Sequence, residues 1–398
     1  MTHIKCNTRP TDRPTDRPTD RPTDRPTDRQ SNFELLRIIA MVMIIFHHYA
    51  IHGIFPFVTL EEYSYLRNNL ILASVMAPGG GVGVALFFMI SGYFQCRKAR
   101  VSLEKVILTT FFYGFFSCLL FAVLCLLPGG REFYTLKGVL ANIAKSALNP
   151  STSGIWWFVT AYIVLTAASP VINSFLNRFS FKGLLFVTLF VWAFLYAVPF
   201  ATGSMFLELK RAVFYYLTGA CFQVHREETE CKTHIRLQSL WIIGSVISWV
   251  AVGLCFFNYW KCSLVEETIM IEFRRRIFDF LANSIFVPAA ALMIFAFFSA
   301  LNIGSRKYLN AIAATTFGIY LLHDSWSGRP LIWDFLFDVY HTQFFSKYMF
   351  LFAPLTVFCV FVACSVIEFL RQRYIEPNWN RWFCKLRDRF LSKYTVLK

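Results

Sequence analysis

The sequence predicts an all-α fold, a polytopic integral membrane helical bundle of about ten transmembrane helices with both termini cytoplasmic. Three observations predict it. Of the 398 residues, 56% are hydrophobic and only 16% charged, against roughly 45–50% and about 25% in ordinary soluble domains. The apolar surplus is spread over the whole chain, in runs close to the ~20 residues that cross a bilayer. Placing both ends in the cytoplasm also puts most of the Lys and Arg there, as topology requires.

The chain opens with five tandem copies of R-P-T-D over residues 9–28. A four-residue period rich in Pro and charge has no apolar face to bury, so residues 1–31 read as a disordered tail. The tract reads as translated simple-sequence DNA, with a partner-binding arm as the alternative. Neither a signal nor a transit peptide fits it, since it lacks an apolar or amphipathic core.

Spans are expected near 34–54, 71–94, 106–127, 155–176, 183–202, 211–225, 239–260, 279–301, 308–325 and 347–370. Together they make a membrane domain over 32–375, followed by a basic cytoplasmic tail over 376–398. The cluster Arg274–Arg276 falls on the outside and runs against the charge rule; lipid headgroups or an anionic glycan would account for it. The net charge of +15 follows from Lys- and Arg-rich tails and loops and does not point to nucleic acid. The 11 Cys are scattered with no C-x-x-C pair, so neither a disulfide framework nor a structural zinc site is expected.

The first span, NFELLRIIAMVMIIFHHYAIHG over 32–53, carries Arg37, His47, His48 and His52. An ionisable side chain at mid-bilayer costs roughly 2.5–3.5 kcal/mol, so such residues are functional candidates. Arg37 and His48 are eleven residues apart, three helical turns, and project from one face about 16 Å apart. His47 is turned toward another side. Bland readings exist for each: Arg37 snorkelling to headgroups, and a histidine serving as a hydrogen-bonded packing residue. His48 and His52 have the i, i+4 spacing of zinc ligands, but no third ligand is evident and no metal is expected.

The L-R-x(10)-H pattern made by Arg37 and His48 resembles the acyltransferase 3 family of integral membrane acyltransferases. The resemblance continues through GGVGVALFFMISGYF (79–93), WWFVTAYIVLTAASPVIN (156–173) and TFGIYLLHDS (316–325). It implies that Arg37 and His48 are the functional pair. Two departures stand out. Glu34 occupies a position where many members have Asp. The basic R-x-x-R pair of the inner loop is displaced: Arg97 and Arg100 have the spacing but fall early, and Lys105 sits at the usual first position. The sequence runs only a short way past the last span, so the membrane domain is expected without the extracytoplasmic SGNH-type hydrolase domain fused to some members.

The activity implied is transfer of an acetyl or other short acyl group from cytoplasmic acyl-CoA, with acetyl-CoA as donor, to a carbohydrate hydroxyl of the cell envelope. Acyl transfer needs a base for the acceptor proton and a group for the developing oxyanion. His48 suits the first role, as base or as transient acyl carrier. Arg37 suits recognition of phosphate or oxyanion. Arg97, Arg100 and Lys105 form a basic loop suited to the donor's phosphates or simply to fixing topology. Ser91 lies near the same face and is either part of that site or a close-packing residue. Trp156, Trp157 and Tyr162 would stack on a sugar ring or form an interfacial belt. His323 and Asp324 would bind or activate the acceptor, or else close a solvated helix end. The expected location is the bacterial-type inner membrane. The opposing class is a glycan exporter or secondary transporter with Arg37 and His48 in the translocation path; no matching pair of interrupted helices supports it.

Overall fold

The computed structural model describes residues 30–126, 156–202, 207–229 and 235–395, and every regular element among them is helical. The R-P-T-D tract lies outside the described residues. Helix α1 (Ser31–Gly53) is followed by α2 (Leu60–Tyr65), α3 (Arg67–Met76), α4 (Pro78–Gln95) and α5 (Glu104–Leu126). Then come α6 (Trp157–Leu176), α7 (Phe181–Thr202), α8 (Leu207–Thr229), α9 (Ile235–Ser263), α10 (Ile269–Phe280) and α11 (Val287–Ala300). The last part holds α12 (Lys307–Ala313), α13 (Thr316–His323), α14 (Met349–Leu370) and α15 (Glu376–Thr395).

Among the described residues, six helical stretches are long and apolar enough to cross a membrane. They are Ser31–Gly53, Arg67–Gln95, Trp157–Leu176, Gln238–Ser263, Ile269–Ala300 and Met349–Phe383. Two expected spans are interrupted. The run 71–94 is split into α3 and α4, where Pro78 takes the first position of the new helix, the position at which a missing N–H costs nothing. The run 308–325 is split into α12 and α13. Between α10 and α11, Leu281–Phe286 is a π-helical segment, a form that relaxes the backbone inside a longer helix.

Helix α4 is the hub, packed between α1 and α8. Its glycines allow this. A methyl group on Gly79 would collide with the backbone carbonyl of Met43, and one on Gly83 would meet the carbonyl of Ala40 at 2.7 Å. On the opposite side Gly92 lies against the Tyr216 carbonyl and Gly219 against that of Met89. In lipid, where no hydrophobic force drives helices together, such small-residue contacts supply the packing.

Hydrogen bonds tie the helix ends into two layers. At one end, Asn173 donates to the carbonyls of Gln95 (2.7 Å) and Lys98 (2.9 Å). Asn32 donates to Phe298 O at 2.9 Å, and Ser31 Oγ to Asn310 Oδ1 at 2.8 Å. At the other end, Asn69 donates to Phe344 O at 2.6 Å. There, Phe55 stacks on Trp260 with centroids 4.9 Å apart.

Candidate active site

Helix α1 places Glu34, Arg37, Met41, Ile44 and His48 on one stripe, because steps of three and four residues return to the same face. The lower part of that stripe lines a cavity of about 420 Å³ shared with α4, α5, α6, α12 and α13. Its polar lining is Glu34, Arg37, Ser91, Lys105, Tyr162, Thr316 and Tyr320. Arg37 donates to both carboxylate oxygens of Glu34, at 2.8 and 3.0 Å. That pairing satisfies the guanidinium on one edge and holds it at the cavity wall. Ser91 Oγ donates to Phe87 O at 2.9 Å, inside its own helix. Lys105 pairs with Glu376 at 3.2 Å.

Arg37, Ser91, Lys105 and Tyr162 are thus brought together, whereas Arg97 and Arg100 do not line this cavity. Arg97 donates to Glu227 through Nε (3.0 Å) and Nη2 (2.6 Å), and to Asn177 through Nη1 (2.7 Å). Its guanidinium holds the Glu227 carboxyl below the usual carboxylate range. Arg100 is exposed. Tyr162 lines the cavity and Trp156 and Trp157 do not: about one and a half turns into α6 from the tryptophans, it stacks on Phe158 and accepts a hydrogen bond from Gln95 Nε2 at 3.2 Å. Trp156 is buried and Trp157 half-buried against the core.

Above the cavity, His48 meets His323. His48 Nδ1 and His323 Nε2 are 2.8 Å apart, and both residues are buried. The tautomers follow from the next bond. His323 Nδ1 lies 2.6 Å from Ile319 O, and only an N–H can face a carbonyl. A neutral His323 therefore offers Nε2 as acceptor, His48 donates from Nδ1, and the lone pair of His48 is left on Nε2. Asp324, buried beside the pair, has Oδ1 3.7 Å from His48 Nδ1 and 3.7 Å from His52 Nε2. Arg329 Nε donates to that same oxygen at 2.7 Å. The carboxylate is thus fixed in place and sits where a positive charge developing on His48 would be stabilised.

His48, His52 and Asp324 present three ligand atoms within 4.8 Å of one another, the third ligand that the sequence did not reveal. The Arg329 guanidinium already occupies the Asp324 oxygen as its cation, which disfavours a metal there. His47 takes no part in the pair. Its Nδ1 lies 2.6 Å from Ala77 O, donating to the carbonyl, and its ring fills the space over Gly80. Sequence reasoning missed Arg329, whose basic character alone, six residues after His323, gave no sign of its partner.

Comparison with protein-family models matches residues 30–368 to the acyltransferase domain of the acyltransferase 3 family. No curated protein and no solved structure matches the chain. The family match covers the helices that line the cavity and carry both histidines. The chain belongs to the acyltransferase 3 family and is a multi-pass membrane acyltransferase.

Proposed function

We propose that this protein transfers an acetyl or other short acyl group from acyl-CoA, acetyl-CoA first, to a hydroxyl of an envelope carbohydrate, across a bacterial-type inner membrane. The single observation that carries the reading is the His48–His323 hydrogen bond, which prepares one imidazole nitrogen as a base three turns above Arg37. The topology proposed is ten crossings with both termini in the cytoplasm. It is supported by the ties between helix ends, which bring the starts of α1 and α12 and the ends of α4, α6 and α11 to one side.

The donor enters from that side. Arg37 and Lys105 are the cavity's cations and suit the phosphates of the donor. The acceptor hydroxyl loses its proton to His48 Nε2 as its oxygen attacks the thioester carbonyl carbon. The tetrahedral intermediate then expels the thiolate, the C–S bond breaks, and the imidazolium returns its proton to the sulfur. Asp324 steadies the imidazolium between these two steps. His323 holds the ring and the tautomer. The aromatic start of α6, Trp156 and Trp157, is proposed for the sugar on the far side.

The test is release of free thiol from acyl-CoA by the purified protein, with and without a carbohydrate acceptor. Acceptor-dependent release is expected. A protein that moves glycan without consuming acyl-CoA would be an exporter or transporter instead. Arg37 supplies a second, graded prediction. Arg37→Lys keeps the charge but loses the planar fork that also engages Glu34, so KM for acyl-CoA should rise at least severalfold. Arg37→Ala should stop turnover while the protein stays monodisperse in detergent. Unchanged KM in Arg37→Lys together with active Arg37→Ala would remove Arg37 from the donor site.

A further inference from the structure

The cavity lining stops one helical turn short of both histidines. On α1 the lining residues Glu34, Arg37, Met41 and Ile44 form a stripe whose next member is His48. On α12 and α13 the lining residues Ala313, Thr316, Phe317 and Tyr320 form another, whose next member is His323. Two helices from opposite ends of the chain, each followed by one more turn of about 5.4 Å, arrive at the two imidazoles that bond to each other. The chamber is therefore aimed at the base.

The last lining residue on α13 before His323 is Tyr320, and Phe158 of α6 meets it. Both line the cavity, and both are buried. Their rings meet edge to face, with centroids 5.5 Å apart and planes at 76°. Tyr320 also touches the far side: its ring centroid is 6.2 Å from that of His323. Phe158 is backed by Phe88 at 5.0 Å, so the Tyr320 side of the pair faces the imidazoles while the Phe158 side is braced against α4.

We infer that Tyr320 and Phe158 form the aperture through which the acyl end of the donor must pass to reach His48, and that its width selects small acyl groups. This rests on the reading of the cavity as the acyl-CoA site. The acyl group is the leading end of the pantetheine arm, so it meets the aperture first. A two-carbon acetyl group slips between the edge of one ring and the face of the other after a small side-chain rotation. A branched or aromatic acyl group needs the rings driven apart against a packed wall, and close-packed interiors resist such displacement. Tyr320 and Phe158 are then specificity-determining residues of the transfer.

The experiment compares kcat/KM for acetyl-CoA and 2-methylpropanoyl-CoA in the full-length protein, measured as thiol release with a carbohydrate acceptor. Widening the aperture by Tyr320→Ala or by Phe158→Leu should raise the ratio of branched to acetyl turnover by about tenfold or more, the scale set by one or two methyl groups in an apolar pocket. Tyr320→Phe keeps the ring and should keep the parental ratio. A ratio unchanged in both widened variants, with acetyl turnover still measurable, would overturn the aperture while leaving the donor site intact. If Tyr320→Ala is not recovered folded, Phe158→Leu decides alone. A parent that releases no thiol from either donor would overturn the donor site itself, and the aperture with it.

Discussion

Replacing His48 by glutamine is expected to lower acylation by a factor of about 10²–10⁴, the usual cost of a missing general base. His47→Gln, one residue away, should keep a substantial fraction of the activity. Both changes alter the same helix by the same atoms, so insertion defects affect them alike. The structure separates them by partner. His48 is bound to His323 above the cavity, whereas His47 spends its hydrogen bond on Ala77 O and packs on Gly80. A glutamine at 47 can still donate to that carbonyl. His323→Phe keeps a ring of similar size but no acceptor, so it should fall between the two by freeing the His48 ring and its tautomer. The pH profile of the parent should show loss of activity on the acid side only, because a protonated His48 cannot accept a proton. The groups facing His48 are His47, His52, His323 and Asp324. Changing His323 should therefore move the position of that limb, which a merely structural role would not do. Dead His47→Gln with active His48→Gln, at matched membrane levels, would remove His48 as the base.

Arg371→Met is expected to destabilise the protein by roughly 3–5 kcal/mol, the cost of breaking a buried ion pair by removing one partner. Arg371 and Glu368 are 3% and 2% exposed. The guanidinium grips the carboxylate through Nε at 2.7 Å and Nη2 at 2.9 Å, and a second contact from Nη2 reaches Glu376 at 2.9 Å. Tyr113 and Gln372 complete the shell of donors around Glu368. Removing the cation leaves a carboxylate with two neutral donors and no counter-charge. The double change Glu368→Gln with Arg371→Met should recover most of the loss, since the buried carboxylate that lost its counter-charge is then neutral and can still accept from Tyr113. The readout is monodisperse protein surviving a heating series in detergent. The effect should reach the site as well. Gly318 on α13 has no room for a side chain because the Glu368 carboxyl lies against it, and α13 carries His323. If Arg371→Met were as stable as the parent, the pair would not be what braces α13 against α14.

Much of the site's first half was legible because it is local. Arg37 and His48 share one helix, and eleven residues fix their common face regardless of what surrounds them. Ser91 and Lys105 were legible as polar residues near the same boundary. The second half was not, because it depends on pairings between distant segments. His323 is 275 positions from its partner, and nothing in spacing says that one imidazole accepts a hydrogen bond from the other. Asp324 was visible next to His323, yet its ties to His52 and Arg329 require the turn after α13 to fold back. Glu368 and Arg371 fall at the end of the last expected span and were not singled out in the sequence, because their burial comes from Tyr113 and Gly318 on other helices. The fold shows the same division. Apolar runs mark where helices lie, because burial in lipid needs only length and composition. The break between α3 and α4 had a local signal in Pro78 that length alone overrode. The break between α12 and α13 had none, since Ala314 and Thr315 carry no helix-breaking chemistry.

In the proposed transfer, a donor bound on the Arg37 side is used by a base, His48, on an acceptor from the opposite side. Proteoliposomes of one orientation test it most directly, with radiolabelled acetyl-CoA supplied only to the face that carries the start of α1 and a carbohydrate acceptor sealed on the other. Labelled, acylated carbohydrate in the acceptor compartment, with free thiol left in the donor compartment and both lost in His48→Gln, is the predicted result. Thiol release only when donor and acceptor share one compartment, or acylated carbohydrate formed undiminished by His48→Gln, would contradict it.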